Sequence, residues 1–159
     1  MKNIDSILLD EKFREYSKKL VELEKDRIFC KHDLEHSLDV ARICYILTLE
    51  DGVKVGKEII YATALLHDLG RVKQYTDGTP HDIASYEIAG DILSRTDFLE
   101  NEVEIILDCI AKHRHKSDAE SYFTKTFYKA DKLSRMCFNC PAWDICNWSD
   151  EKKNKSIIY

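Results

Sequence analysis

The stretch Ile59–Leu69, IIYATALLHDL, constrains this chain more than any other. It is apolar nearly all round, as a helix buried on every side must be, and it ends in a histidine and an aspartate. The pattern predicts a central helix over 55–69, with Gly70 as its C′ residue. Such a helix needs amphipathic neighbours, and the sequence supplies them. Residues 4–26 carry Ile7, Leu8, Phe13, Tyr16, Leu20 and Leu23 at spacings built from threes and fours. Residues 33–50 repeat this with Leu34, Leu38, Ala41, Cys44 and Leu49 until Asp51-Gly52 breaks it. A polar loop is expected at 74–79, before Pro80 opens a helix over 81–95. Helices over 100–114 and 121–136 follow, the latter with Phe123, Phe127, Ala130, Leu133 and Met136 on its apolar side. No segment alternates as a strand would. The expectation is an all-α, single-domain bundle of about six helices over 1–136, with a short cysteine-containing extension, 137–159, packed on it.

Composition bounds the function classes. At 159 residues and 44% apolar, roughly 70% of the unfolded surface can be buried without disulfides. A net charge of −5 argues against a long nucleic acid as partner. It leaves a nucleotide open, because a local cation dominates the field at a site. No apolar run approaches the length of a membrane span, and MKNIDSILLDEKF is too acidic for an export signal. A cytoplasmic, reducing location and no membrane partner are therefore expected, with the cysteines unpaired or bound to metal.

The chemistry-bearing residues lie on successive predicted helices: His36 on the second, His67-Asp68 ending the buried third, His81 opening the fourth, His113 and His115 closing the fifth, and Asp131 on the sixth. An isolated buried charge is costly and needs a partner or a metal. Neighbouring helical residues point about 100° apart, so one ion beside the helix end can be reached by both His67 and Asp68, and Asp68 can bridge to a second. The remaining ligands must come from other helices. Mixed imidazole and carboxylate ligation suits one or two divalent ions of Mn, Fe, Co, Ni, Zn or Mg.

The contexts HDLEHSLDVARI (32–43), ALLHDLGR (64–71) and YKADKLSR (128–135) resemble the HD superfamily of metal-dependent phosphohydrolases, over roughly residues 25–136. The resemblance implies an HD-type helical fold with metal ligands His36, His67, Asp68 and Asp131. It also implies a second ion held by His81 and His113, with His115 competing for the latter place and Asp68 bridging. The implied activity is cleavage of a phosphate ester or anhydride, of a nucleotide or dinucleotide, by a metal-activated water. Arg71, Lys132 and Arg135 lie close enough in sequence to hold phosphate. Asp33, or His32 four residues before His36 on the same helical face, is placed to carry a proton. The competing readings are a metal- or nucleotide-binding module that does not turn over, and an HD-like di-iron oxidoreductase. Association into a homodimer is compatible with all three.

Cys137 and Cys140 form a C-x2-C pair, and Cys146 follows. Thiolates so spaced can clamp zinc or an iron–sulfur cluster, but this run offers three ligands where four are usual. Cys30, just before the first motif helix, is the leading candidate for the fourth, and His32 is another. Free thiols are the competing reading. Cys44 and Cys109 fall on apolar faces and read as small core residues. The resemblance does not bear on this group.

Overall fold

A computed structural model describes residues 1–114 and 121–159. Among them are eight α-helices, two 3-10 turns and no strand. The helices are α1 (Lys2–Leu9), α2 (Glu11–Leu23), α3 (Leu34–Glu50), α4 (Lys57–Leu66), α5 (Arg71–Thr76), α6 (His81–Leu93), α7 (Glu100–Lys112) and α8 (Tyr122–Leu133). None is long and apolar enough to cross a membrane.

The all-apolar segment is the hub. Helix α4 packs against α1, α3, α6 and α7, while α3 also lies along α8. Ile60, Ala62, Ala64 and Leu66 are fully buried, and the Thr63 hydroxyl is satisfied by donating to Ile59 O (2.8 Å). Cys44 and Cys109 sit wholly inside the core, as expected of small apolar residues.

Helices exceed the expected six because one expected helix divides and another forms where none was expected. The predicted 4–26 helix breaks at Asp10, whose backbone is extended and whose carboxylate accepts from Phe13 N (3.0 Å). That is an N-cap starting a new helix. The expected loop over 74–79 begins inside a helix, since Arg71–Thr76 forms α5. Gly70 is not a left-handed C′ residue: its φ is −64°, in the right-handed region. It is glycine because α6 lies against it, and Gly70 N donates to Ser85 Oγ (2.8 Å).

Beyond α8, 3-10 turns at Cys137–Asn139 and Trp143–Ile145 lead into an irregular tail. The tail returns to the end of α8. Asn154 Nδ2 donates to Lys132 O (2.8 Å) and Arg135 O (2.7 Å), satisfying carbonyls that a helix terminus leaves free. The extension thereby fixes the turn that carries Asp131, Lys132 and Arg135.

Candidate metal centre

Six sequence-predicted ligands converge. His36 comes from α3, His67 and Asp68 from the end of α4, His81 from the start of α6, His113 from the end of α7 and Asp131 from α8. All six are buried. His115 lies outside the described residues.

Asp68 is the centre of the arrangement, and its two oxygens face different groups. Oδ2 lies 3.1 Å from His67 Nε2 and 3.8 Å from His36 Nε2. Oδ1 lies 3.6 Å from His81 Nε2. The ligand atoms of His36, His67 and Asp68 fall within 4.8 Å of one another, as do those of Asp68, His81 and His113. Asp131 belongs to neither set by that measure, yet its Oδ1 is 3.3 Å from His36 Nε2, on the side of the first.

Each imidazole is oriented through its other nitrogen. Nδ1 donates to Ala64 O in His67 (2.8 Å), to Ile110 O in His113 (2.6 Å) and to Gln74 Oε1 in His81 (3.0 Å). In His36 it donates to Ser134 Oγ (3.2 Å), whose own proton goes to Asp131 O (2.8 Å). With Nδ1 protonated, Nε2 carries the lone pair that a metal ligand presents.

That tautomer assignment tests the fit of a metal. His81 Nε2 and His113 Nε2 stand 3.2 Å apart, two lone pairs facing each other. Two imidazoles on one tetrahedral ion place their nitrogens roughly 3.3 Å apart, given bonds of about 2.0 Å. His67 Nε2 is fully buried and makes no hydrogen bond among the described residues, although Asp68 is close by. The contact is electrostatic, without hydrogen-bond alignment. Facing lone pairs and an orphaned buried nitrogen both fit a divalent ion.

Electrostatics agree. Burial pushes His36 down to about 4, His81 to about 3 and His113 to about 4, so all three are neutral near pH 7. Burial also pushes His67 down, but Asp68 and Asp131 overcome it and the net shift is upward. Asp68 and Asp131 resist the effect of burial and stay well below the usual carboxylate range, drawn down chiefly by His67 and His36 respectively.

A prediction for the chelated protein follows. The three depressed histidines titrate near 6.5 when unfolded. Their contribution is therefore complete above that pH and is lost as pH falls toward 4. His67 acts in the opposite sense, its contribution being lost as pH rises through its folded value. Three outweigh one. At about pH 5 each depressed imidazole opposes folding by roughly 2 kcal/mol. Thermal unfolding with a chelator should show Tm falling by about 10 °C between pH 7 and pH 5; a flat profile would contradict the buried, neutral imidazoles.

The predicted phosphate-holding and proton-carrying residues lie around this core. Arg71 Nε donates to Asp68 Oδ1 (2.7 Å), and Lys132 Nζ to Asp131 Oδ2 (2.6 Å). Arg135 Nη2 donates to His36 Nε2 (2.9 Å), placing a cation at the lone pair of a candidate ligand. Asp33 is the N-cap of α3, accepting from His36 N (3.0 Å). His32 does not share a helical face with His36, because α3 starts at Leu34. It is buried ahead of the helix, with its ring 5.8 Å from that of His36. Its Nδ1 meets Glu24 Oε1 at 2.6 Å, and Tyr75 donates to the same oxygen (2.5 Å). Despite burial, His32 pulls Glu24 down to about 2. Sequence reasoning missed Glu24, Tyr75 and Gln74, which bear no motif, and the role of Ser134 within YKADKLSR; they act across 8, 51, 7 and 98 residues.

Three of the cavities adjoin the cluster, a 270 Å³ one past His36 and Cys30 and two of greater volume. One of 590 Å³ runs past His32, Arg71, Asp131 and Lys132 to Trp148 and the C-terminal cysteines. The other, 820 Å³, reaches Asp68 and His32 between the largely apolar walls Phe13, Leu20, Leu34, Leu65 and Leu69. Cations line both, Lys18 and Lys19 in the 820 Å³ cavity and Arg71, Lys132 and Arg135 in the 590 Å³ one, where they stand beside the cluster.

Comparison with known proteins gives a consistent result. The family model of the HD domain matches residues 33–136. An uncharacterized protein of Clostridium beijerinckii is 48% identical over the full length of both chains. Ribonuclease Y of Mycoplasma mycoides subsp. mycoides is 31% identical over 101 residues, 64% of this chain, which spans 18% of that protein's length. The crystal structure of a predicted HD superfamily hydrolase from an uncultured Thermotogales bacterium superposes with a TM-score of 0.62, covering 88% of this chain and 80% of that one at 23% identity. That likeness is one of fold.

Proposed function

Since the chain belongs to the HD domain family, we propose that it is a metal-dependent phosphohydrolase acting on a phosphate ester or anhydride of a small nucleotide. The observation that carries this reading is the division of Asp68 between two histidine sets, which suits a carboxylate bridging two ions. His36, His67, Asp68 and Asp131 would hold one ion, and Asp68, His81 and His113 the other. Bound there, divalent ions supply Lewis acidity, lowering the pKa of water and neutralising phosphoryl charge.

The chain's own groups do the rest. Arg71, Lys132 and Arg135 line the 590 Å³ groove, and their guanidinium and ammonium groups can turn from Asp68 and Asp131 to phosphoryl oxygens. Phe29, Trp143 and Trp148 line the same groove, with Arg27, Lys153 and Lys132 respectively over their rings, and a base can stack there where it displaces the cation or takes the other face. Glu24 fixes the His32 ring through Nδ1, and burial lowers its pKa, which leaves Nε2 as the nitrogen that can accept a proton from the attacking water. Similarity to a protein named ribonuclease Y supports phosphodiester chemistry. The net charge of −5 favours a short substrate over a long RNA.

The test is phosphate release from a panel of mono-, di- and cyclic nucleotides with Mn, Co, Ni or Mg added to chelated protein. Metal-dependent release from at least one is expected. Metal-loaded protein that releases nothing from any of them would sink the reading.

A further inference from the structure

The cysteines divide into two populations. Cys44 and Cys109 are wholly buried in the core. Cys30, Cys137, Cys140 and Cys146 all line the 590 Å³ groove, and no disulfide joins cysteines among the described residues. The four groove cysteines come from two segments far apart in sequence, one leading into α3 and one following α8. We propose that these four thiolates hold an iron–sulfur cluster, separate from the histidine–aspartate centre.

The backbone is shaped for it. Cys140 N donates to Cys137 O (3.1 Å), Trp143 N to Cys140 O (3.2 Å) and Ile145 N to Ala142 O (3.2 Å). Successive tight turns curl residues 137–146 so that three cysteines face one region. Cys30 is brought to that region by two arginines: Arg27 Nε donates to Cys30 O (2.9 Å) and Arg135 Nη1 to Lys31 O (3.0 Å). The thiols are near enough to influence one another. Burial raises the Cys30 thiol first, Arg135 opposes this, and Cys137, Cys140 and Cys146 each add to the rise.

Spacing decides between metals. Sulfurs on one tetrahedral zinc stand roughly 3.8 Å apart, given Zn–S bonds of about 2.3 Å. Among the described residues, the only sets of three or more ligand atoms within 4.8 Å are the two histidine–aspartate ones. All four thiols line one groove without three of them meeting that limit, and a cluster ligated by four cysteines is a larger body than one ion. Binding releases the thiol protons. Arg27, Lys132, Arg135 and Lys153 line the same groove and would offset the negative charge that results. The cluster would tie the lead-in of α3 to the tail that caps α8, forming the groove wall beside Arg135.

The full chain, loaded anaerobically with ferric iron, sulfide and dithiothreitol, the thiol supplying the electrons that a mixed-valence cluster needs, is assayed for bound iron, acid-labile sulfide and visible absorption. Roughly two to four sulfides per chain are expected, with a broad visible band. Sulfide reports this site alone, since iron on the histidines brings none. His36→Ala should keep the sulfide, so failure here is distinguishable from failure of the hydrolase reading. Cys30→Ser and Cys146→Ser should each lower it at least five-fold with helical circular dichroism intact. Wild-type protein that retains no sulfide, that binds one zinc at these thiols instead, or that keeps its sulfide in both variants overturns the proposal. The wild-type measurement decides even where a variant fails to fold.

Discussion

Replacing Asp68 with alanine is expected to lower metal-dependent phosphate release on the order of 1,000-fold or more and to cut bound metal sharply. Among the described residues no other side chain serves both ligand sets, so its loss dismantles both at once. Stability should respond far less. Breaking a buried pair costs about 3–5 kcal/mol when the abandoned charge is trapped. Arg71, however, is 20% exposed and borders the groove, so it can turn to water. His67 loses the carboxylate that raises its pKa, so burial then favours its neutral form. A Tm drop of only a few degrees beside a near-complete loss of activity would mark Asp68 as chemical rather than structural. Asp68→Asn, which keeps the shape and removes the charge, should behave alike. Activity near wild type in either variant would end the two-ion reading.

Gly70→Ala is expected to act in the opposite way, through the fold. An added Cβ would stand 2.2 Å from His81 O and 2.3 Å from Ser85 N. Both are backbone atoms of α6, so no side chain can swing aside. Helix α6 would have to move, at about 3 kcal/mol or more, lowering Tm by about 10 °C. Because His81 is the first residue of α6, the displacement should also weaken the second ligand set selectively. Gly90→Ala, later in the same helix, meets only Leu107 Cδ1 at 3.9 Å. It should gain up to about 1 kcal/mol from helix propensity. A Gly70→Ala protein as stable as wild type would show that the α4–α6 contact is looser than described.

These cases show how far the sequence could be read. The histidine and aspartate positions were legible because they recur as a joint pattern in strongly periodic segments, and long periodic helices were legible with them. What escaped depended on partners distant in sequence. Gly70 invites a C′ reading from its place after an apolar run, yet only the approach of α6 explains it. The Asp10 N-cap was hidden by apolar spacings that continue on both sides of it. Helix α5, six residues long, is too short to show a period. The charges near the motifs were found, but not that Arg71 and Lys132 hold the carboxylates themselves. His32 was placed on a helix that starts two residues later, and its link to Glu24 and Tyr75 has no sequence signature.

The way the four imidazoles are steadied limits how this site can be altered. His67 and His113 lean on main-chain carbonyls, those of Ala64 and Ile110, which no point substitution removes. His36 and His81 lean on Ser134 and Gln74, which a single codon change replaces. Each half of the centre thus combines one fixed imidazole with one adjustable one. Divergence in ion preference among relatives, or deliberate retuning in the laboratory, can enter through residues 74 and 134 while every coordinating side chain stays the same.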